Sequence, residues 1–222
     1  MKYLIIFLAL IFGTVFQAEA KEKNTNHKKK RLHYLDGRLS PKDKRYKTFM
    51  AAINLLNQRQ AQTIVETGTA RFGSSNFEGD GGSSIIFSDW ANDHAATFYS
   101  VDINQDYIND AYEAVQKTIP NIKTPLFFIC SDSIEFLRNF GQSIDFLYLD
   151  SYDFDVNDPL PSQQHHLEEL KASYRWLHED SVIMIDDCNL PFGGKGKLAI
   201  EFLTKRGWKM LRNEYQVILV RN

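Results

Sequence analysis

Acidic side chains recur at the points where apolar, strand-like runs of this sequence end. These positions are Glu66, Asp102, Asp132, Asp150 and the pair Asp186-Asp187. A carboxylate can accept hydrogen bonds from the two hydroxyls of a ribose, and carboxylate oxygens are also the ligands that Mg²⁺ prefers. A single acid at such a position would be explained by helix capping, because aspartate is a favoured N-cap residue. Repetition at successive strand ends instead predicts one acidic rim that binds a ligand.

A glycine-rich stretch between residues 63 and 84 follows the first of these runs. The pattern indicates a buried strand, Thr63–Glu66, then a loop, then a helix that begins with Ser83 and Ser84. Glycine lets the backbone approach a ligand closely, and a helix N-terminus offers unpaired N–H groups to an anionic group. This arrangement is typical of the first βα turn of a doubly wound nucleotide-binding sheet. A flexible surface loop after an ordinary strand would contain the same glycines.

Strand-like and helix-like segments alternate along the chain after a leading helix that follows Ser40-Pro41. The predicted strands are Thr63–Glu66, Thr97–Val101, Leu126–Cys130, Ile144–Leu149, Val182–Ile185, Trp208–Leu211 and Gln216–Val220. The predicted helices between them are Ser83–Asn92, Asp106–Thr118, Ser133–Asn139, His165–Leu177 and Lys197–Arg206. Alternating βα units predict a parallel sheet with helices on both faces. The fold class is therefore α/β, a doubly wound, mostly parallel seven-stranded sheet with a C-terminal antiparallel hairpin.

Four short motifs resemble those of the class I S-adenosylmethionine-dependent methyltransferases, whose sheet is Rossmann-like. They are VETG (65–68), SVD (100–102), CSDS (130–133) and DFLYLD (145–150). The resemblance implies that Glu66, Gly68, Ser83 and Ser84 hold the methionine end of S-adenosylmethionine. It also implies that Asp102 holds the ribose hydroxyls and that Asp132 faces the adenine amino group. The loop departs from the family pattern, because SSNFEGDGG (74–82) lengthens it.

The second half of the sequence resembles the metal-dependent O-methyltransferases of the catechol and macrocin-like types. The matching stretches are LYLDSYDF (147–154) and VIMIDDC (182–188). The resemblance implies that Asp150, Asp186 and Asp187 bind Mg²⁺ or a similar divalent cation, which would lower the pKa of a substrate hydroxyl. The alternative is that Asp186 and Asp187 only cap the turn after their strand. The expected reaction is O-methylation of a small-molecule or sugar hydroxyl.

Two adjacent histidines open the predicted helix after a proline-bearing loop, Asp158–Pro161. His165 or His166 could act as a general base near the metal. The alternative is a helix start with one ring packed and one in water. With Asp150, these histidines complete the predicted catalytic set. The Gly193–Gly196 loop is expected to border the acceptor pocket.

Two other classes of function remain open on the sequence alone. One is a non-catalytic nucleoside-binding module with the same fold. The other is an NAD-linked oxidoreductase, which is disfavoured because no Gly-x-Gly-x-x-Gly motif follows the first strand.

The N-terminal residues differ in composition from the predicted domain at 40–222. Residues 1–20 have the layout of a signal peptide, with Lys2, an apolar run and an A-x-A site, so we expect export, or an uncleaved membrane-anchored form. Residues 21–39 are basic and are predicted to be a disordered tail. The net charge of −2 in 222 residues gives no reason to expect a nucleic-acid partner. A small-molecule substrate is expected, without a stable membrane span once the signal peptide is removed.

Cysteine usage can be compared with the predicted sheet. Cys130 ends the third strand and Cys188 follows the fifth. In a sheet ordered 3-2-1-4-5 these strands are about 19 Å apart, whereas a disulfide needs Cα atoms within about 7 Å. Both thiols are therefore predicted to be free.

Overall fold

The computed structural model describes residues 34–221. The predicted signal peptide and most of the predicted tail lie outside this range. The helices are α1 (Tyr46–Arg59), α2 (Phe77–Asp80), α3 (Ser83–His94), α4 (Gln105–Thr118), α5 (Ser133–Arg138), α6 (Leu160–Ser173) and α7 (Lys197–Thr204). The strands are β1 (Thr63–Thr67), β2 (Thr97–Asp102), β3 (Leu126–Cys130), β4 (Ile144–Leu149), β5 (Leu177–Ile185), β6 (Lys209–Asn213) and β7 (Val217–Val220). Short 3₁₀ turns occupy Gly73–Ser75, Tyr174–Trp176 and Pro191–Gly193.

The strands form one seven-stranded sheet in the order β3-β2-β1-β4-β5-β7-β6. The first five strands are parallel, and β7 runs antiparallel to both of its neighbours. The chain leaves β1 toward β2 on one side and later returns to pair β4 on the other side. The strand order thus reverses between β1 and β4, and ligands of open α/β sheets bind at the carboxyl ends of the strands at that point. The predicted fold class is confirmed.

Both faces of the sheet are covered, which explains why the central strands are almost continuously apolar. Successive side chains of β4 alternate between the two faces. Phe146 and Tyr148 pack in the core that contains α1 and α3, whereas Leu147 and Leu149 pack in the core under α6 and α7.

The folded region begins earlier than the predicted boundary at residue 40. Tyr34, Leu35 and Leu39 are buried in the same core as α1. Arg38 forms an ion pair with Asp89 of α3, at 2.8 Å between Nη1 and Oδ2. Residues 34–39 are therefore part of the domain and not of a disordered tail.

Two predicted boundaries near β5 also differ from those in the structure. Helix α6 begins at Leu160, with Pro161 in its first turn, and not at His165. Proline is tolerated in a first turn, where its missing N–H would have no helical partner. Strand β5 begins at Leu177 and not at Val182, because Leu177 pairs with Ile144 of β4. Within residues 34–221, no helix is both long and apolar enough to cross a membrane.

Candidate active site

A cavity of about 410 Å³ lies at the carboxyl end of the sheet, where the strand order reverses. Backbone hydrogen bonds hold these strand ends level: the Asp150 N–H donates to the Thr67 carbonyl at 2.9 Å, and the Asp186 N–H donates to the Leu149 carbonyl at 3.1 Å. Most of the lining residues follow β1, β2, β4 or β5, and they include Gly68, Thr69, Ser83, Asp102, Asp150, Asp186, Asp187 and Lys195. Lys44 and Arg45, which precede α1, and Tyr215, between β6 and β7, complete the lining with Tyr107 of α4. Most of the predicted acidic rim is thus gathered around one space.

Gly68 fixes the distance between the loop after β1 and the end of β4. Its φ is +79°, in the left-handed region that favours glycine. A Cβ atom at this position would lie 2.8 Å from the Asp150 carbonyl carbon and 3.0 Å from the Ser151 Cα. The cavity therefore depends on a residue without a side chain at position 68.

Glu66 is completely buried beneath the glycine loop. Its carboxylate accepts hydrogen bonds from Ser83, from Ser84 at 2.7 Å and from Ser100 at 2.7 Å. Burial raises the pKa of Glu66 to about 7, and the three hydroxyls oppose that rise. Glu66 lies on the face of β1 that carries Ile64, which is the face packed against α3. It therefore joins β1 and β2 to the start of α3.

Ser84 connects Glu66 to the loop after β1. Its Oγ accepts a hydrogen bond from the Ala70 N–H at 3.0 Å and lies 3.1 Å from the Thr69 Oγ1. Ser83 and Gly68 line the cavity, whereas Glu66 acts through the serines that it holds. Glu66 was predicted to hold the methionine end of a cofactor, and the structure places it behind Ser83 and Ser84, outside the lining of the cavity.

Asp102 lies where the main cavity meets a smaller one of about 330 Å³. Its two carboxylate oxygens accept backbone hydrogen bonds, one from Asn104 at 2.8 Å and one from Thr69 at 3.2 Å. Each oxygen keeps a second lone pair, because a carboxylate has about four acceptor sites. Burial raises the pKa of Asp102, and the backbone donors oppose that rise. Asp102 is thus held in place with acceptor capacity left for a diol.

Asp132 and His165 belong to the smaller cavity. Asp132 is the N-cap of α5 and accepts from the Glu135 N–H at 2.8 Å. The His165 Nε2 lies 3.2 Å from the Ser133 Oγ and 3.4 Å from the Glu169 Oε1. Burial would lower the pKa of His165, but the hydrogen bond and the charge of Glu169 raise it. Among the described residues, Asp132 and His165 line this cavity and not the main one.

His166 is completely buried, with its Nδ1 2.7 Å from the Ser162 carbonyl oxygen. Burial lowers the pKa of His166 to about 4, so the ring is neutral at physiological pH. The predicted catalytic histidines therefore divide between the smaller cavity and the core, and neither lies at the rim beside Asp150.

The three aspartates predicted to bind a metal already have internal partners. The Lys195 Nζ lies 2.8 Å from the Asp150 Oδ1 and 3.3 Å from the Asp187 Oδ2. Burial would lower the pKa of Lys195, but the two carboxylates raise it well above its usual range. Asp187 also accepts a hydrogen bond from the Tyr215 hydroxyl.

The Asp186 carboxylate interacts with a different set of side chains. Its Oδ2 accepts a hydrogen bond from the Tyr148 hydroxyl at 2.9 Å and lies 3.4 Å from the Arg45 Nε. Within residues 34–221, no group of three His, Cys, Asp or Glu side chains has a geometry that could hold a metal ion. The residues present do not fit a bound divalent cation, and the metal prediction is not confirmed.

Comparisons with known proteins bear on the fold. No protein-family model matches the chain, and no curated protein matches it. Solved structures do match. A methyltransferase of Podospora anserina bound to S-adenosyl-homocysteine (SAH) has a TM-score of 0.54 at 12% identity, over 77% of this chain and 76% of that one.

Two further solved structures match the chain to a similar degree. An O-methyltransferase of Bacillus cereus in complex with SAH has a TM-score of 0.52 at 14% identity, over 82% of this chain and 80% of that one. The magnesium protoporphyrin IX methyltransferase of Synechocystis PCC 6803, with bound SAM, has a TM-score of 0.51 at 14% identity, over 79% of each chain. The chain has the fold of the class I methyltransferases.

Several residues that line the main cavity were not predicted from the sequence. Arg45, Thr69, Lys195 and Tyr215 all line the cavity. The Gly193–Gly196 loop was expected to border an acceptor pocket, and Lys195 is the residue of this loop that lines the main cavity. Gly194 makes this possible, because a Cβ there would lie 2.8 Å from the Asp187 carbonyl carbon. A lysine between glycines after a strand was the one sequence signal for this residue.

Proposed function

We propose that this protein is an S-adenosylmethionine-dependent methyltransferase that methylates a hydroxyl oxygen of a small molecule. The observation that carries the proposal is the pair of cavities that meet at Asp102. A nucleoside cofactor with an amino-acid tail needs contacts to its base, to its ribose and to its tail. The two cavities offer residues for these three parts in the same spatial order. The structural neighbours bound to SAM or SAH share this fold, which supports the same type of cofactor.

Each part of such a cofactor has residues suited to it. Asp132 and Ser133 line the smaller cavity, where a base with an exocyclic amino group would find an acceptor and a donor. Asp102 has free lone pairs for the ribose diol. Gly68, Thr69 and Ser83 line the main cavity on the side where the methionine end would lie, with backbone and hydroxyl groups for its charged ends.

When bound, S-adenosylmethionine would supply an electrophilic methyl group. In the transfer, an oxygen lone pair of the acceptor forms the new O–C bond, the S–C bond breaks with its electrons left on sulfur, and the hydroxyl proton leaves to solvent. The chain's own contribution is to hold the acceptor beside Asp150 and Lys195 and to keep its groups fixed, since positioning supplies much of the rate. The proposal includes no step through a divalent cation.

Calorimetric titration of the full-length protein with S-adenosylmethionine, SAH and NAD⁺ tests the cofactor. We expect one SAH per chain, and we expect Asp102→Ala to weaken binding by about 10- to 100-fold, the usual value of a hydrogen bond to a charged group. Asp110→Ala is a matched control on the neighbouring helix, exposed and outside the cavity, and should bind as the wild type does. The proposal fails if neither S-adenosylmethionine nor SAH binds. Binding of NAD⁺ alone would favour the oxidoreductase.

Methyl transfer needs its own assay. Tritium from methyl-labelled S-adenosylmethionine should appear in at least one member of a panel that contains catechol, phenol and methyl glucoside. Tight SAH binding with no transfer to any hydroxyl, and none to water, would favour the nucleoside-binding module instead.

A further inference from the structure

Lys195 stands out because it is a buried cation inside an acidic site. Its side chain is 1% exposed, and its ammonium contacts Asp150 and Asp187 at 2.8 and 3.3 Å. Lysine is rarely buried to this degree unless it is paired. The side chain nevertheless lines the main cavity. An ammonium has three N–H donors, and the two carboxylates account for two of them.

The loop that carries Lys195 is built to deliver it to this point. Gly194 adopts a φ of +57° and packs against the backbone of Asp187. The Lys195 N–H donates to the Asp187 carbonyl oxygen at 3.2 Å. The backbone at Lys195 and just before it is thus tied to the same turn that carries two of the three aspartates, which limits where the ammonium can go.

We propose that the Lys195 ammonium is the resident cation of this site, that it takes the position a divalent metal would need, and that its third N–H binds the acceptor oxygen. The third part, acceptor binding, rests on the proposed function, whereas the first two do not. An ammonium is a compact point charge, so it can stabilise negative charge on that oxygen as the O–C bond forms. Lys195 remains protonated throughout, and the hydroxyl proton leaves to solvent.

The remaining contacts favour lysine over a metal. Mg²⁺ requires carboxylate oxygens at about 2.1 Å in octahedral geometry. Here the oxygens of Asp186 are directed to Tyr148, Arg45 and the Asp187 N–H. A metal between Asp150 and Asp187 would displace a buried ammonium from both partners, which is strongly unfavourable.

The first test measures cation binding and needs no acceptor. Full-length protein freed of metals with EDTA is titrated with Mn²⁺, and the EPR signal of the free ion is followed. We expect the wild type to bind no Mn²⁺ at this site. Lys195→Met removes the cation from between the Asp150 and Asp187 carboxylates, so it should bind one Mn²⁺ per chain, with a Kd at least about tenfold below any wild-type value.

Matched variants identify the cause of any change. Lys197→Met alters an exposed lysine at the start of α7, and Lys195→Arg keeps the positive charge, so both should resemble the wild type in the Mn²⁺ titration. Stoichiometric Mn²⁺ binding by the wild type would overturn the proposal. So would a folded Lys195→Met protein that gains no Mn²⁺ site. If Lys195→Met does not fold, the wild-type titration decides the question alone.

The second test concerns the acceptor. For any panel compound that the wild type labels, labelling in EDTA should equal labelling in Mg²⁺. Lys195→Met should reduce it by about 100-fold or more, the usual effect of losing one electrostatic donor, while Lys197→Met should not. SAH binding should be kept in both variants. A failure of SAH binding in the wild type would remove the proposed function and leave the Mn²⁺ result standing.

Discussion

Gly68→Ala measures how closely the loop after β1 approaches β4. Any non-glycine residue at a φ of +79° loses about 1–2 kcal/mol relative to a right-handed conformation. The new methyl group would also overlap the Asp150 backbone, at 2.8 Å from its carbonyl carbon. Overpacking of this kind costs about 1–3 kcal/mol. We therefore expect the free energy of unfolding to fall by about 2–5 kcal/mol, a large part of the stability of an ordinary domain.

Gly207→Ala separates the two contributions. Gly207 has a φ of +86°, but a Cβ there would meet nothing within 4 Å. This control should lose only the conformational cost, about 1–2 kcal/mol. Urea denaturation of both variants gives the difference directly, and SAH titration gives the functional effect. Gly68→Ala should weaken SAH binding by about tenfold or more, because Asp150 and the loop must move apart.

Two results would refute this reasoning. Equal losses of stability in the two variants, within about 0.5 kcal/mol, would show that the loop and the Asp150 backbone are not in contact. A destabilised Gly68→Ala protein that binds SAH as tightly as the wild type would show that the loop does not shape the cofactor site.

Two further predictions follow from buried groups. Because the folded pKa of Glu66 is raised to about 7, the folded state holds a proton that the unfolded state loses near its ordinary pKa, so stability should fall by up to about 3 kcal/mol as pH rises from about 4.5 to 7. Glu66→Gln should flatten that part of the stability–pH curve in urea titrations, and an unchanged slope would contradict the assignment. Cys188 is buried and burial raises its pKa, whereas Cys130 is exposed. A thiol reagent should therefore label one cysteine quickly in native protein and none in Cys130→Ser, and fast labelling of two would contradict this.

The fold was predictable because its signals are local and repeated. Continuous apolar strands and the helical spacing between them each constrain the topology independently. The free state of Cys130 and Cys188 followed from the strand order alone and is confirmed. The start of α6 was missed because a proline suggests a loop, although it also fits the first turn of a helix.

The site was less predictable because its decisive contacts join distant parts of the chain. Arg45 precedes α1 and reaches Asp186, which lies 141 positions later. Lys195 reaches back to Asp150 from the far side of β5. Sequence spacing indicated that acids would meet at one rim, but it carried no information about which cations would meet them there. The motifs also did not indicate that Glu66 and His166 are the side chains that become completely buried, since burial is a property of the packed layers.

The balance of charge around the main cavity predicts that a cationic ligand binds there more tightly than its uncharged analogue. Among the described residues, the lining carries six acids, Asp80, Asp102, Asp150, Asp153, Asp186 and Asp187, against four bases, Lys44, Arg45, Arg71 and Lys195. Counted by formal charge, the acids exceed the bases by two. S-adenosylmethionine carries a sulfonium that SAH lacks, so the cavity should attract the methyl donor more than the product. Salt screens such an attraction. The ratio of the Kd of S-adenosylmethionine to that of SAH should therefore rise with KCl concentration, and a ratio independent of salt would mean that the acids are fully neutralised by their internal partners.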